Sequence, residues 1–256
     1  MEEITICAVS QYSFSQVGTS ACTPISLFLV AIFLRHLDGH ELMDKEAIMT
    51  DAVLSGISSY SSVFGTAEAS GPQHLAVEDV VDRITELACL KKVGAPIQGQ
   101  LSNIDAFRQL FTESRRAANA CKYAGVVITK PPETLCVFLP PLDSSSARYF
   151  LFDSHSRPQY GLDGSYMVES DSIEAIIDRL NLIFPQLPSE GEGESYSTMM
   201  YNMFEGSIFT LASVEESASS SFTAISASRE QSPDEDYVLV DAPAVAASEG
   251  LSGNIP

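Results

Sequence analysis

The sequence predicts an α+β domain in which a central buried helix packs on an antiparallel sheet, and three observations predict it. The run from Ile25 to Leu34 is apolar on nearly every side, the pattern of a helix through the middle of a domain. Three short apolar segments, residues 123–129, 134–139 and 147–153, lie close enough along the chain to be antiparallel neighbours. Elsewhere the apolar residues recur at helical spacing.

Taken in order, the β-branched residues of 3–10 read as a first strand. A polar turn then leads into the apolar helix, with Thr19 and Ser20 suited to its N-cap and Pro24 tolerable in its first turn. His36, Asp38, Gly39 and His40 end it. Residues 44–60 carry Ile48, Val53, Leu54 and Ile57 at helical spacing. Residues 75–90 do the same through Val77, Val80, Val81, Ile84, Leu87 and Leu90, which predicts one amphipathic helix with Cys89 packed on it. Gly94, Pro96 and Gly99 mark a connection or short strand over 91–101, and 103–118 returns to a helix. After the three strands, a Gly-rich turn precedes a short strand at 166–168. Residues 171–183 form a helix that Pro185 ends, and 199–211 form a last strand or hairpin. We find no internal repeat.

Composition bounds the function. With 256 residues, 45% hydrophobic and 19% charged, the chain can bury a core and is not a disordered polyelectrolyte. A net charge of −20 repels a phosphate backbone, so nucleic acid is a poor partner and a basic protein surface a better one. Cys7, Cys22, Cys89, Cys121 and Cys136 are irregularly spaced, without a CxxC pair or nearby histidines, which excludes a zinc-ligand pattern and a disulfide framework. No cofactor is called for. The N-terminus lacks the basic region of a signal peptide, and the apolar run is too short to span a bilayer. These features fit a reducing compartment: cytoplasm, nucleus, or the cytosol of a host cell if the protein is viral or secreted by a pathogen.

From 213 to 256 serine, alanine and acidic residues dominate, with Arg229 the one cation, too little apolar surface to offset chain entropy. The expected organisation is therefore a folded domain over 1–212 and a disordered acidic tail over 213–256.

Two short patterns carry chemistry. Cys22 stands where the polar turn meets the apolar helix, at the positive end of the helix dipole, where a thiolate is favoured. Gln16, six positions earlier, can converge with the Cys22 backbone N–H on one oxyanion if the chain turns between them. A buried structural cysteine is the other reading of that position. The third strand ends in Phe152-Asp153-Ser154-His155-Ser156-Arg157-Pro158. Side chains two apart on an extended chain share a side, so Asp153 can steady the His155 ring and favour its imidazolium form. His155 would then take the proton of Cys22 and return one to a leaving amine.

Gln16 and Cys22 at the mouth of a buried helix, followed by a sheet bearing the histidine, resemble the papain-type cysteine peptidases. The stretch around Asp153 and His155 resembles the deubiquitinating peptidases at the N-terminus of herpesvirus large tegument proteins. The resemblance covers roughly residues 5–185 in order and layout, and two short motifs closely. It implies a papain-like cysteine peptidase fold and cleavage after the C-terminal glycine of ubiquitin or a ubiquitin-like modifier. It makes Cys22 the nucleophile, His155 the base and acid, Asp153 the orienting carboxylate and Gln16, ahead of Gln11, the oxyanion donor. Ubiquitin, whose tail and contact face are basic, is the implied partner.

Asp234 to Val240 is one apolar island in the acidic tail. Acids followed by Tyr237 and, three later, Val240 resemble the short motifs that bind the Atg8 family of autophagy modifiers. Asp236, Tyr237 and Val240 would add as a strand to a partner's sheet edge; a chance pattern or a strand docking on the domain itself are the alternatives. For the whole chain the alternatives are a catalytically silent ubiquitin-binding adaptor, and a transferase or amidase using the same Cys–His pair.

Overall fold

The structure is a computed structural model that describes residues 2–14, 18–39, 44–64, 74–144, 148–184, 186–187 and 196–212. All of them fall within one compact unit, Met1–Ser217. The tail motif at 234–240, Gln16 and Pro185 lie outside the described residues.

Eight strands among the described residues form one antiparallel sheet. They are β1 (Glu2–Cys7), β2 (Leu90–Lys92), β3 (Ile97–Gln100), β4 (Ala124–Lys130), β5 (Glu133–Leu139), β6 (Tyr149–Asp153), β7 (Ser165–Ser170) and β8 (Met203–Leu211). Their spatial order is β1-β7-β6-β5-β4-β8-β2, with β3 also paired to β8. The hairpin of β4 and β5 is in register from Ala124 opposite Leu139 to Lys130 opposite Glu133. That register places the Pro131–Pro132 turn at one end of the sheet.

The helices cover both faces. Side chains alternate along a strand, so the central strands present two apolar sets. Val127, Cys136, Phe138, Phe150, Phe152 and Met167 join α1 (Cys22–Gly39), α2 (Lys45–Phe64) and α3 (Val77–Val81) in one core. Val126, Ile128, Leu135, Val137, Leu151 and Val168 join α4 (Ile104–Ala117) and α5 (Ile173–Ile183) in the other. A last short helix, α6 (Tyr196–Tyr201), precedes β8. Burial on both faces explains why β4, β5 and β6 read as continuous apolar runs rather than alternating ones.

The apolar helix takes the central place its sequence predicts. Ile25, Leu27, Leu29, Val30 and Phe33 are fully buried because α1 lies between the sheet and α2. Phe33 stacks on Phe138 at 4.1 Å and meets Phe150 edge-on at 5.0 Å, which pins α1 across β5 and β6. On the other side Gly56 of α2 touches the α1 backbone; a Cβ there would lie 2.6 Å from Ile25 Cα. Helix axes this close need a residue without a side chain.

The single helix expected over 75–90 is not formed. Val77–Val81 is one short helix, Thr85–Leu87 a single 3-10 turn, and Leu90 begins β2. Ile84 is extended, at φ −104° and ψ 105°, and interrupts the helix. Val77, Val80, Ile84, Leu87 and Leu90 are nonetheless all buried. Two short turns bury the same periodic residues, and Leu90, with Lys91 and Lys92 after it, pairs with β8 in a ladder that a helix would forgo. Cys89 therefore lies in the link between turn and strand.

Candidate active site

Cys22 is the first residue of α1 and is 1% exposed. The turn before it is tight: the Gly18 N–H donates to the Phe14 carbonyl and the Ala21 N–H to the Gly18 carbonyl, each at 3.1 Å. Gln11 opens a 3-10 turn rather than ending the first strand, and a Cβ on Gly18 would lie 1.8 Å from its carbonyl oxygen, so only glycine lets the chain pack against that turn. The next residue locks the helix start. Thr23 Oγ1 donates to the Leu75 carbonyl at 2.9 Å, and with its one proton so used it accepts from Thr134 Oγ1 at 3.0 Å. These bonds bring the segment before α3 and the start of β5 against Cys22. The Sγ itself lies 3.8 Å from the Pro132 carbonyl oxygen.

The second half of the site is the end of β6. Asp153 Oδ1 accepts from the His155 ring at Nδ1, 2.6 Å away, and from the His155 backbone N–H at 2.9 Å. Its Oδ2 accepts from Arg157 Nε at 2.9 Å and from the Tyr166 hydroxyl at 3.2 Å. Asp153 is fully buried. With Nδ1 turned to the carboxylate, Nε2 is the nitrogen left for Cys22, and the two side chains perturb each other's ionisation. Tyr12 tilts over the imidazole with ring centroids 5.9 Å apart.

Gln11 is clamped beside this pair. Its backbone N–H donates to the Ser154 carbonyl at 3.1 Å, and its side-chain Oε1 accepts from Ser154 Oγ at 2.9 Å. That leaves the Nε2 donors for a ligand.

The electrostatics favour an ion pair. Burial alone pushes the Cys22 thiol up. Hydrogen bonds from His155 and His74, the His155 charge and a backbone hydrogen bond from Thr134 outweigh it and bring the thiol down to about 6. Burial also disfavours the His155 imidazolium, yet the Asp153 charge, its hydrogen bond and Cys22 hold the ring well above the usual histidine value. Asp153 would be raised by burial but is lowered by His155 and Arg157. Near neutrality the site is a thiolate beside an imidazolium beside a carboxylate. Cys136, buried near Asp153, shows the opposite outcome: burial and the Asp153 charge push its thiol well up.

The structure thus brings Cys22, His155 and Asp153 together, and it sets Gln11 next to them. It adds residues that sequence reasoning missed. His74, an exposed residue ahead of α3, hydrogen-bonds Cys22, and that bond raises its own pKa. Arg157 and Tyr166 complete the shell of Asp153. The one sequence signal for these is the four-residue spacing of Asp153 and Arg157 in the same stretch. Among the described residues no cluster of His, Cys, Asp and Glu could hold a metal ion, and no helix is long and apolar enough to cross a membrane.

No protein-family model matches the chain, and no curated protein sequence matches it. The chain is similar in fold to a viral ubiquitin-specific protease. That protease is encoded by a murine cytomegalovirus tegument protein, and its crystal structure holds a ubiquitin-based suicide substrate. The match has a TM-score of 0.51 and 14% identity, and covers 82% of this chain and 87% of that one. At this identity the likeness is one of fold: a mixed α+β architecture with an antiparallel sheet.

Proposed function

We propose that this chain is a papain-like thiol peptidase that removes ubiquitin or a ubiquitin-like modifier by cleaving after its C-terminal glycine. The observation that carries the reading is the Cys22–His155–Asp153 constellation at the start of a buried helix, on a fold similar to that of a ubiquitin-specific protease. In the reaction the Cys22 thiolate attacks the scissile carbonyl and forms a C–S bond. The oxyanion meets the Cys22 backbone N–H, one of the helix's unpaired first donors, and a glutamine amide. His155 protonates the amine as the C–N bond breaks, then deprotonates the water that hydrolyses the thioester. Asp153 keeps Nδ1 occupied, so Nε2 remains the working nitrogen.

The surroundings suit a basic, partly aliphatic tail. Next to the Pro131–Pro132 turn lies a hollow of about 250 Å³ lined by Val77, Pro131, Met200, Met203, Phe204 and Glu205. It offers apolar walls with a carboxylate at the rim, and the chain as a whole is strongly acidic.

A ubiquitin probe with a C-terminal electrophile tests the reading. The wild-type chain should form a covalent adduct through Cys22. Failure with ubiquitin and with a panel of ubiquitin-like probes sinks it, and retained non-covalent ubiquitin binding would then favour the adaptor alternative.

The glutamine can be assigned separately. Gln11 is held against the strand end between Asp153 and His155, so Gln11→Ala should lower kcat roughly 10²–10³-fold, as loss of one oxyanion donor does elsewhere. Gln16→Ala should change it little. The reverse pattern in steady-state hydrolysis of a fluorogenic ubiquitin substrate returns the role to Gln16.

His74 predicts a pH effect. It stabilises the thiolate, so His74→Ala should move the acid limb of the rate profile to higher pH from its position near 6. The shift should be smaller than that caused by His155→Ala, which removes both a hydrogen bond and a charge. An acid limb unmoved in His74→Ala would show that this imidazole does not share the thiolate.

A further inference from the structure

Glu133 is the first residue of β5, directly after Pro132, whose carbonyl lies against Cys22. Thr134, the next residue, bonds Thr23 and contacts Cys22. This short stretch is therefore the wall on the nucleophile's side. Arg157 lies on the other side, four residues beyond Asp153 and two beyond His155.

The two are joined by a bidentate fork. Arg157 Nη1 donates to Glu133 Oε1 at 2.9 Å and Nη2 to Oε2 at 2.6 Å, while Nε turns back to Asp153 Oδ2 at 2.9 Å. The Arg157 side chain is 9% exposed and that of Glu133 22%. All three guanidinium nitrogens are thus engaged, two by one carboxylate and one by another. A planar fork with fixed donors transmits position as well as charge, which an ammonium cannot do.

We infer that Glu133 and Arg157 are positioning residues: their ion pair clips the β4–β5 turn that walls Cys22 to the end of β6 that carries His155, and so sets the sulfur–imidazole approach. The inference rests on the reading of Cys22 and His155 as nucleophile and base. It goes beyond it by assigning the spacing of that pair to a charge clip outside the reacting groups. An isolated buried ion pair often adds little net stability. Here the clip joins the first residue of β5 to the segment after β6, two stretches that no shared strand ladder fixes to each other at that point, since the β5–β6 register ends at Cys136 opposite Phe152.

The groups facing the site are few. His155 and His74 face Cys22; His155, Arg157, Tyr166 and Cys136 face Asp153, and Glu133 faces Arg157. Loosening the clip should let His155 drift from the sulfur and return the thiol toward its ordinary range.

The test reads the thiolate directly. Cys22 alkylation by iodoacetamide is followed across pH by peptide mass spectrometry, with thermal unfolding recorded in parallel, on wild type, Glu133→Gln, Arg157→Met, Arg157→Lys and the Glu133→Gln/Arg157→Met pair. The wild-type midpoint should lie near 6. Glu133→Gln and Arg157→Met should each raise it by about one pH unit. Arg157→Lys, which keeps the charge but not the fork, should fall between, and the double variant should move no further than Arg157→Met alone. A purely structural pair would lower the melting temperature and leave the midpoint unmoved, and that result overturns the clip. If Arg157→Met does not fold, Glu133→Asp, which shortens one arm, decides by the same midpoint. A wild-type midpoint at the ordinary thiol value would overturn the Cys22–His155 reading itself, whatever the variants do.

Discussion

Cys22→Ala should fold like the wild type and form no adduct with the ubiquitin probe. The substitution removes one sulfur from a buried helix start and leaves Ile25 to Phe33, which hold α1 in place, untouched. The cavity left is one atom in size, so the expected cost is about 1 kcal/mol or less. Activity, by contrast, loses the only atom that can form the thioester. His155→Ala should reduce turnover by roughly 10²–10⁴-fold at neutral pH, for two reasons that add in one residue. The amine loses its proton donor, and the thiol, released from the His155 hydrogen bond and charge, is left to burial, which raises it. Raising the pH should therefore recover part of the loss in His155→Ala and none in Cys22→Ala. The double variant should be no worse than Cys22→Ala alone, because groups acting in one step are not additive. An adduct that persists in Cys22→Ala would move the nucleophile elsewhere, and equal pH dependence in His155→Ala and wild type would remove His155 as base.

What could be read from residues alone was what lies close along the chain. The apolar helix, its N-terminal cysteine and the Asp153–His155 pair are each local patterns: side chains one turn or two residues apart fix their relation before any tertiary contact forms. The three middle strands were legible for the same reason. Residues 75–90 were not, because helical spacing and two consecutive turns bury the same positions, and the choice between them is made by β8, more than a hundred residues later. The Glu133–Arg157 fork and the Gln11–Ser154 bonds depend on strand register and on the turn that Gly18 permits, which no local pattern encodes. His74 is set against Cys22 by its neighbour Leu75, which accepts from Thr23.

Asp153→Asn should cost stability and turnover together. The carboxylate is fully buried and accepts from four donors, two on each oxygen. An amide keeps the shape but must present its NH₂ to one of those pairs, either the two N–H groups of His155 or Arg157 and Tyr166. Either choice sets donors against donors and leaves the buried Arg157 with Glu133 as its one remaining carboxylate. Breaking a buried pair by removing one partner costs about 3–5 kcal/mol, and Glu133 should hold the loss near the lower end. Turnover should fall roughly 10²–10⁴-fold, because Nδ1 no longer holds the ring with Nε2 toward the sulfur. The stability loss has a pH window. Asp153 is lowered on folding, so its contribution is present above the unfolded carboxylate value and disappears as pH falls through the folded one. His155 is raised, so its contribution is complete below the unfolded histidine value and is lost as pH rises through the folded one. The gap between wild type and Asp153→Asn should thus be widest between about pH 4 and pH 6.5. Cys22, brought down to about 6, adds its own contribution only above that point, so denaturant unfolding at about pH 5.5 isolates the Asp153–His155 pair. Equal unfolding free energies there would mean that the carboxylate is not ionised against the imidazolium, and the charge arrangement on which the thiolate depends would have to be abandoned.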